Sequence, residues 1–344
     1  MPWAKLRSHA KYNIATSGVA HWKLRDLPIK IEDLEISGPS FYGFEPLQNA
    51  LAAHCGVEAN RIVAATGTSM ANYLAMAAVL KPGDEVLIEH PTYELIVDVA
   101  LQLGVKITRV PRAAGDFALD VDAYKRALTP ATKLIVISNL HNPTSALSDE
   151  STIRALGALG VRVLVDEVYL PAAFERAPPS AALLGDQFIV TSSLTKVYGL
   201  SGLRCGWIIA EPVVAEKIWR LNDLFGNIPA HMAELASVIA IGELPRILAH
   251  QRARIDANRV ALWKFLDSRD DLDVFKPPFG TVVFPRLKRG SVDALCTVLR
   301  EKYETTVVPG KYFAMADHFR IGIGGDLEPL EEALKRLGLA LDEL

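Results

Sequence analysis

The sequence predicts an α/β protein of three layers, a mainly parallel sheet between helices, followed by a smaller α+β domain. Three observations carry that expectation. Between about residues 60 and 210, short β-branched runs alternate with longer segments of helical period, the pattern of a parallel sheet covered on both faces. Beyond about residue 211 the pattern turns mainly helical before strand character returns near the end. The 344 residues, 50% of them hydrophobic, suffice for two domains of ordinary size.

Taken in order, strands are expected over 61–66, 85–90, 133–140, 162–168, 188–193 and 205–210, with helices over 69–80 and 93–103 between them. Lys81-Pro82-Gly83 punctuates one boundary, because proline and glycine both break regular structure. In the later part, 213–225 and 245–266 read as helices, and 280–285 and 319–323 as strands. The expected organisation is an arm over 1–36 that joins the small domain, a large domain over 37–234 and a small domain over 235–344. No period of 20 to 50 residues repeats, and no low-complexity linker separates the parts.

Composition excludes several classes of function. The 37 basic and 40 acidic residues are spread along the chain, leaving no basic stripe for nucleic acid. Cys55, Cys205 and Cys296 are too far apart for a disulfide framework or a metal site of CxxC type, which points to a reducing, cytoplasmic compartment. The N-terminus lacks the apolar stretch of a signal peptide, and no segment approaches eighteen uninterrupted apolar residues, so no membrane partner is expected.

The most informative stretch runs from Ser193 through Lys196 to Arg204 and Gly206, just after the strand at 188–193. Taken alone, a lysine at a strand end belongs on the surface. Amid apolar residues and glycines, a desolvated amine keeps its lone pair free, as a nucleophile requires. Asp166 ends a second apolar strand, with Tyr169 three residues on, and ligands of open α/β sheets sit beyond the carboxyl ends of strands. Glu167 is the rival acid, but a period of two directs it to the opposite side.

Asn142-Pro143-Thr144 follows a third strand, and the proline stiffens a turn that holds the Asn142 amide. The preceding His141 reads as a loop histidine without proton chemistry. Gly67-Thr68-Ser69 links a strand to a helix, so the turn presents backbone N–H groups at a helix N-terminus, where a phosphate is held best. A threonine or serine N-cap without a ligand is the alternative there. Tyr93 lies in the turn after Pro91, and Arg320 lies in a late strand with the fork of N–H groups that matches a carboxylate.

In that order, these motifs resemble those of the class I/II aminotransferases, aspartate aminotransferase-like enzymes of fold type I among the pyridoxal 5′-phosphate (PLP) proteins. The resemblance runs from about Ser37 to the end. It implies that Lys196 carries the cofactor aldehyde as a Schiff base and acts as general base at the substrate Cα. Asp166 would face the pyridine nitrogen, Tyr169 and Asn142 the ring oxygen, and Tyr93 the ring face. Gly67, Thr68, Ser69, Ser193 and Arg204 would hold the phosphate, helped by Tyr42 of a neighbouring subunit in a homodimer whose active site is shared. Arg320, with Asn142 and Gly18, would hold the substrate, the segment Ser17-Gly18 sitting where relatives form a lid. Cys205 and Ser145 depart from the family pattern, replacing an aliphatic residue and a glycine. The implied activity moves an amino group between an amino acid and a 2-oxo acid.

A C–S lyase or an amino-acid decarboxylase of the same fold would use nearly the same residues, because the cofactor supplies the electronics and the pocket selects the bond that breaks. Arg320 favours transamination or elimination over decarboxylation. A nicotinamide dehydrogenase would need a GxGxxG turn after the first strand, which is missing. A metal hydrolase is disfavoured because the eight histidines lack HExxH spacing. A DNA-binding regulator on this fold would need a further domain, for which the N-terminal stretch is too short. Tyr12 and Trp22 either line a pocket or pack in the arm.

Overall fold

The computed structural model describes residues 8–39, 41–226 and 229–344. Its centre is a sheet of seven strands: β1 (Ile62–Thr66), β2 (Glu85–His90), β3 (Lys106–Pro111), β4 (Thr132–Ser138), β5 (Arg162–Asp166), β6 (Phe188–Ser193) and β7 (Cys205–Ile209). Their spatial order is β1-β7-β6-β5-β4-β2-β3. From β6 across to β3 all neighbours are parallel, whereas β7 runs antiparallel to both β6 and β1. That reversal refines the expected parallel sheet. A parallel return needs a crossover of a dozen or more residues, and the link at 194–204 holds only a 3-10 turn, Ser201–Leu203.

The strands form where β-branched residues are buried on both sides. Val163, Leu164 and Val165 in β5 and Ile135 and Val136 in β4 are all almost wholly shielded from solvent. Trimming one of the larger side chains, as in Ile135→Ala, costs about 2–5 kcal/mol. The edge strand β3 escaped the sequence reading because Lys106, Thr108 and Arg109 interrupt its apolar pattern; only Val110 within it is buried. The expected strands at 133–140 and 162–168 stop early, at Ser138 and Asp166, so the residues that follow open into loops. Of 280–285 only Val282–Val283 pairs as a strand.

Two cores result. The first surrounds the large sheet, with Ala71, Leu74 and Ala75 of the helix Thr68–Val79 among its members. The second gathers Ile14, Val19, Leu295, Phe319, Ile321 and Leu337. The long helix Leu244–Asp267 joins them, giving Leu244 and Ile247 to the first core and Ile255, Leu262 and Leu266 to the second. Register places three polar strand ends side by side, since Ser138 is the partner of Asp166 and Asp166 that of Thr191. A cavity opens there.

Candidate active site

The cavity, of about 230 Å³, lies beyond the carboxyl ends of β4, β5 and β6, with Ala15, Val308 and Arg320 on its other side. Thr68, Ser69, Tyr93, Asn142, Asp166, Tyr169, Lys196 and Arg320, eight of the residues singled out in the sequence, line it together. So do Ser17, Asn72, Ser138 and Val308.

Asp166 ends its strand buried. Its carboxylate accepts hydrogen bonds from Asn72 Nδ2 at 2.9 Å and from the backbone of Val168 at 3.1 Å. Burial pushes its pKa up to about 6, while these donors and the nearby Lys196 pull the other way. A buried carboxylate of this kind calls for a cationic partner. Glu167, directed the other way along the backbone, lines a separate cavity with Tyr198 and Trp207 and accepts from Ala181 N at 2.7 Å. Lys196 Nζ donates to Ser17 Oγ at 3.1 Å, and Tyr169 Oη donates to the same oxygen at 2.7 Å.

At the N-terminus of the helix Thr68–Val79, Thr68 Oγ1 donates to Ser193 Oγ at 2.8 Å. The Arg204 guanidinium donates to Thr66 O at 3.0 Å and lies over Gly67, where an added Cβ would sit 2.4 Å from its Nη2. Gly67 also has φ +80, a conformation that favours glycine. Gly206 lets the two strands approach, since a Cβ on it would lie 2.7 Å from Gly67 Cα. Free N–H groups, two hydroxyls and a guanidinium thus converge on one turn, a donor set that suits a phosphate.

Arg320 is buried, with Nη1 donating to Asn142 Oδ1 at 2.9 Å and Nη2 to Ala15 O at 3.0 Å. Its Nε is buried without a partner among the described residues, so the guanidinium keeps hydrogens to give. The turn that carries Asn142 is itself anchored. Ser138 N and Oγ donate to Glu89 Oε1 at 2.8 and 2.6 Å, Glu89 is paired with the buried Arg112 at 2.7 Å, and Asn142 N donates to Ser138 Oγ at 3.2 Å. His141 is fully enclosed between Thr144 Oγ1 and Pro91 O, and burial holds its pKa well below the ordinary value. Ser145, in the place of the family glycine, adopts φ +60 and donates to Val282 O at 2.8 Å.

Gly67, Ser193 and Arg204 adjoin the cavity at the Thr68 turn without lining it, and two further expected residues do not line it either. Tyr42 is exposed, its ring centroid 6.3 Å from that of Trp219, and does not line the cavity of its own chain. Gly18 does not line it either; its neighbour Ser17 does, because Gly18 lies against the backbone of Lys196, 3.4 Å from the position of an added Cβ to Lys196 O. Asn72, Glu89 and Arg112 were not found by sequence reasoning. Asn72 sits in an alanine-rich helix, and Glu89 and Arg112 are 23 residues apart in sequence and meet only in the fold. Their alternation offered no signal.

A buried carboxylate and a lysine near strand ends, beside a turn rich in hydrogen-bond donors, fit the ring nitrogen, aldehyde and phosphate of PLP, and so point to a fold type I enzyme. Comparison with known proteins agrees. Residues 34–337 match the family model of "Aminotransferase class I and II". The chain is 30% identical to capreomycidine synthase of Streptomyces vinaceus over 94% of its own length and 88% of that protein's. With the arginine–pyruvate transaminase AruH of Pseudomonas aeruginosa it shares 26% identity over 84% of this chain and 76% of the relative. A crystal structure of a PLP-dependent aminotransferase from Streptococcus suis has the same fold, with a TM-score of 0.91 at 24% identity over 97% and 94% of the two chains. The chain belongs to the class I and II aminotransferases. It is a PLP-dependent transaminase, a member of the family that the motifs resembled.

Proposed function

We propose that this protein transfers an amino group from an amino acid to a 2-oxo acid with Lys196, Asp166 and Arg320 as its principal residues. The observation that carries this reading is their convergence on one cavity. PLP, when bound, acts as a sink for the electrons released as a bond to the substrate Cα breaks. Lys196 would hold the cofactor through its aldehyde, and its Nζ, when free, would take the proton from the substrate Cα and deliver it to the carbon derived from that aldehyde. Asp166 would keep the pyridine nitrogen protonated. Tyr169 and Asn142 would serve the ring oxygen and Tyr93 the ring face, and the turn of Gly67, Thr68 and Ser69 with Ser193 and Arg204 would hold the phosphate. Arg320 grips the α-carboxylate of either substrate, with Asn142 beside it and Gly18 in the covering segment.

The working form in this proposal is a cytoplasmic homodimer. Free Cys55, Cys205 and Cys296 suit a reducing compartment, and no described helix is long and apolar enough to cross a membrane. Exposed Ile36, Phe41, Tyr42, Leu224 and Phe225 supply apolar surface for a second copy, whose site Tyr42 would complete. The proposed organisation is an arm over 1–36, a large domain over 37–234 and a small domain over 235–344; Ile14 and Val19 of the arm share the second core, whereas Leu27, Ala240, Leu244 and Ile247 pack in the first, and residues 1–7 of the arm lie outside the described residues.

A second reading, elimination or decarboxylation at the same cofactor, has the support of the likeness to a protein named for a synthase. The test is a panel of amino donors with 2-oxoglutarate and pyruvate as acceptors. Formation of a new amino acid in step with a new 2-oxo acid supports transamination. Release of ammonia or carbon dioxide without amino-group transfer contradicts it.

A further inference from the structure

Ser17 sits in the segment that runs between the lysine loop and the second core. Backbone hydrogen bonds pin this segment on both sides. Val19 N donates to Lys196 O at 2.9 Å, Gly322 N to Ile14 O at 2.7 Å and Ala20 N to Gly324 O at 2.8 Å. Thr281 Oγ1 donates to Ser17 O itself at 2.8 Å. The approach is so close that a Cβ on Gly324 would lie 2.4 Å from Gly18 O. The segment expected to act as a lid is therefore a clamped strap, and the side chain of Ser17, buried at its middle, has a defined position.

That position matters because Ser17 Oγ receives two donors at once, Lys196 Nζ at 3.1 Å and Tyr169 Oη at 2.7 Å. A hydroxyl oxygen has two lone pairs and one hydrogen. With both lone pairs engaged, its own hydrogen remains for a group in the cavity. The lysine side chain is long and loses much rotamer freedom when held, so a fixed acceptor at its tip restricts where the amine waits.

We infer that Ser17 is a positioning residue for Lys196, holding the free ε-amine beside the Tyr169 phenol so that it stands ready both for the cofactor aldehyde and for the substrate Cα proton. The inference rests on the reading of Lys196 given above. Orientation of a reacting group lowers the barrier without altering how tightly substrate binds. Loss of the Ser17 hydroxyl then slows steps made by the amine and spares those that are not.

The experiment compares Ser17→Ala and Ser17→Thr with the parent protein. Binding of pyridoxamine 5′-phosphate, which lacks the aldehyde, reports whether fold and phosphate site are intact. Covalent capture of PLP by cofactor-free protein is followed by absorbance, and turnover is measured with Cα-deuterated and ordinary amino donor. For Ser17→Ala we expect unchanged pyridoxamine phosphate binding, capture and kcat each about tenfold slower, the size of one lost hydrogen bond to an amine, and a larger deuterium isotope effect at constant KM. Ser17→Thr, which retains the hydroxyl, is expected to restore both rates. Parental capture rate and isotope effect in Ser17→Ala, or equal impairment of the two variants, overturn the inference. Failure of the parent protein itself to capture PLP strikes instead at the reading of Lys196.

Discussion

Asn72 holds Asp166: its Nδ2 donates to Asp166 Oδ2 at 2.9 Å, while its Oδ1 accepts from Thr191 Oγ1 at 2.6 Å. One helix side chain thus ties the end of β5 to β6, and it fixes the amide so that a donor, never the carbonyl, faces the carboxylate. Removing that donor as in Asn72→Ala favours the neutral carboxyl and raises the pKa of Asp166 further above about 6. An uncharged Asp166 serves the pyridine nitrogen poorly. We expect PLP affinity to fall about tenfold near pH 7 and to recover partly as pH rises, measured by equilibrium titration of cofactor-free protein. An affinity equal to that of the parent across pH contradicts the role given to Asn72.

Arg320 offers a fork where lysine offers a point charge. In Arg320→Lys the bond to Asn142 Oδ1 and the planar pairing with a carboxylate are both lost. The expected result is a fall of about a hundredfold in kcat/KM for the amino donor, carried mainly by KM, with the absorbance of the bound cofactor unchanged. Steady-state kinetics with a spectrum of the resting enzyme check both halves.

Glu167 tests the energetics of the large sheet apart from catalysis. Burial pushes its carboxyl from the ordinary 4.5 up to about 7. As pH rises through that interval the unfolded chain gives up its proton first, so stability is lost between about pH 4.5 and 7 and is greatest below it. The difference is on the order of 3 kcal/mol. Glu167→Gln, which keeps an oxygen for Ala181 N, is expected to flatten this dependence in cofactor-free protein and to unfold at higher denaturant than the parent at pH 8. Chemical denaturation at several pH values measures it; an unaltered slope with pH contradicts the assignment.

What the chain reveals before folding follows from how local each signal is. β2 and β6 coincide with the expected strands at both ends, because their apolar runs are bounded by sharp polar changes. Asp166, Lys196 and Asn142 were recognisable because Asp166 ends an apolar strand and the other two lie in the loops that directly follow one, where polar residues of open α/β sheets gather around ligands. Asn72, Glu89 and Arg112 act through partners distant in sequence, and nothing beside them foretells the pairing. Ser17 was noticed only with Gly18, since the strap that positions it depends on contacts with Lys196 and Gly324 from opposite parts of the chain. Tyr42 shows the remaining boundary: it is exposed in the single chain, and only the proposed second copy would give it a partner site.

The most direct measurement is the absorbance spectrum of purified protein and of its Lys196→Ala variant after each is incubated with PLP and then reduced with borohydride. We predict a band near about 420 nm in the parent, a cofactor adduct on the peptide that contains Lys196 after reduction, and neither in the variant. A parent that stays colourless, or a variant that keeps both the band and its turnover, contradicts the account.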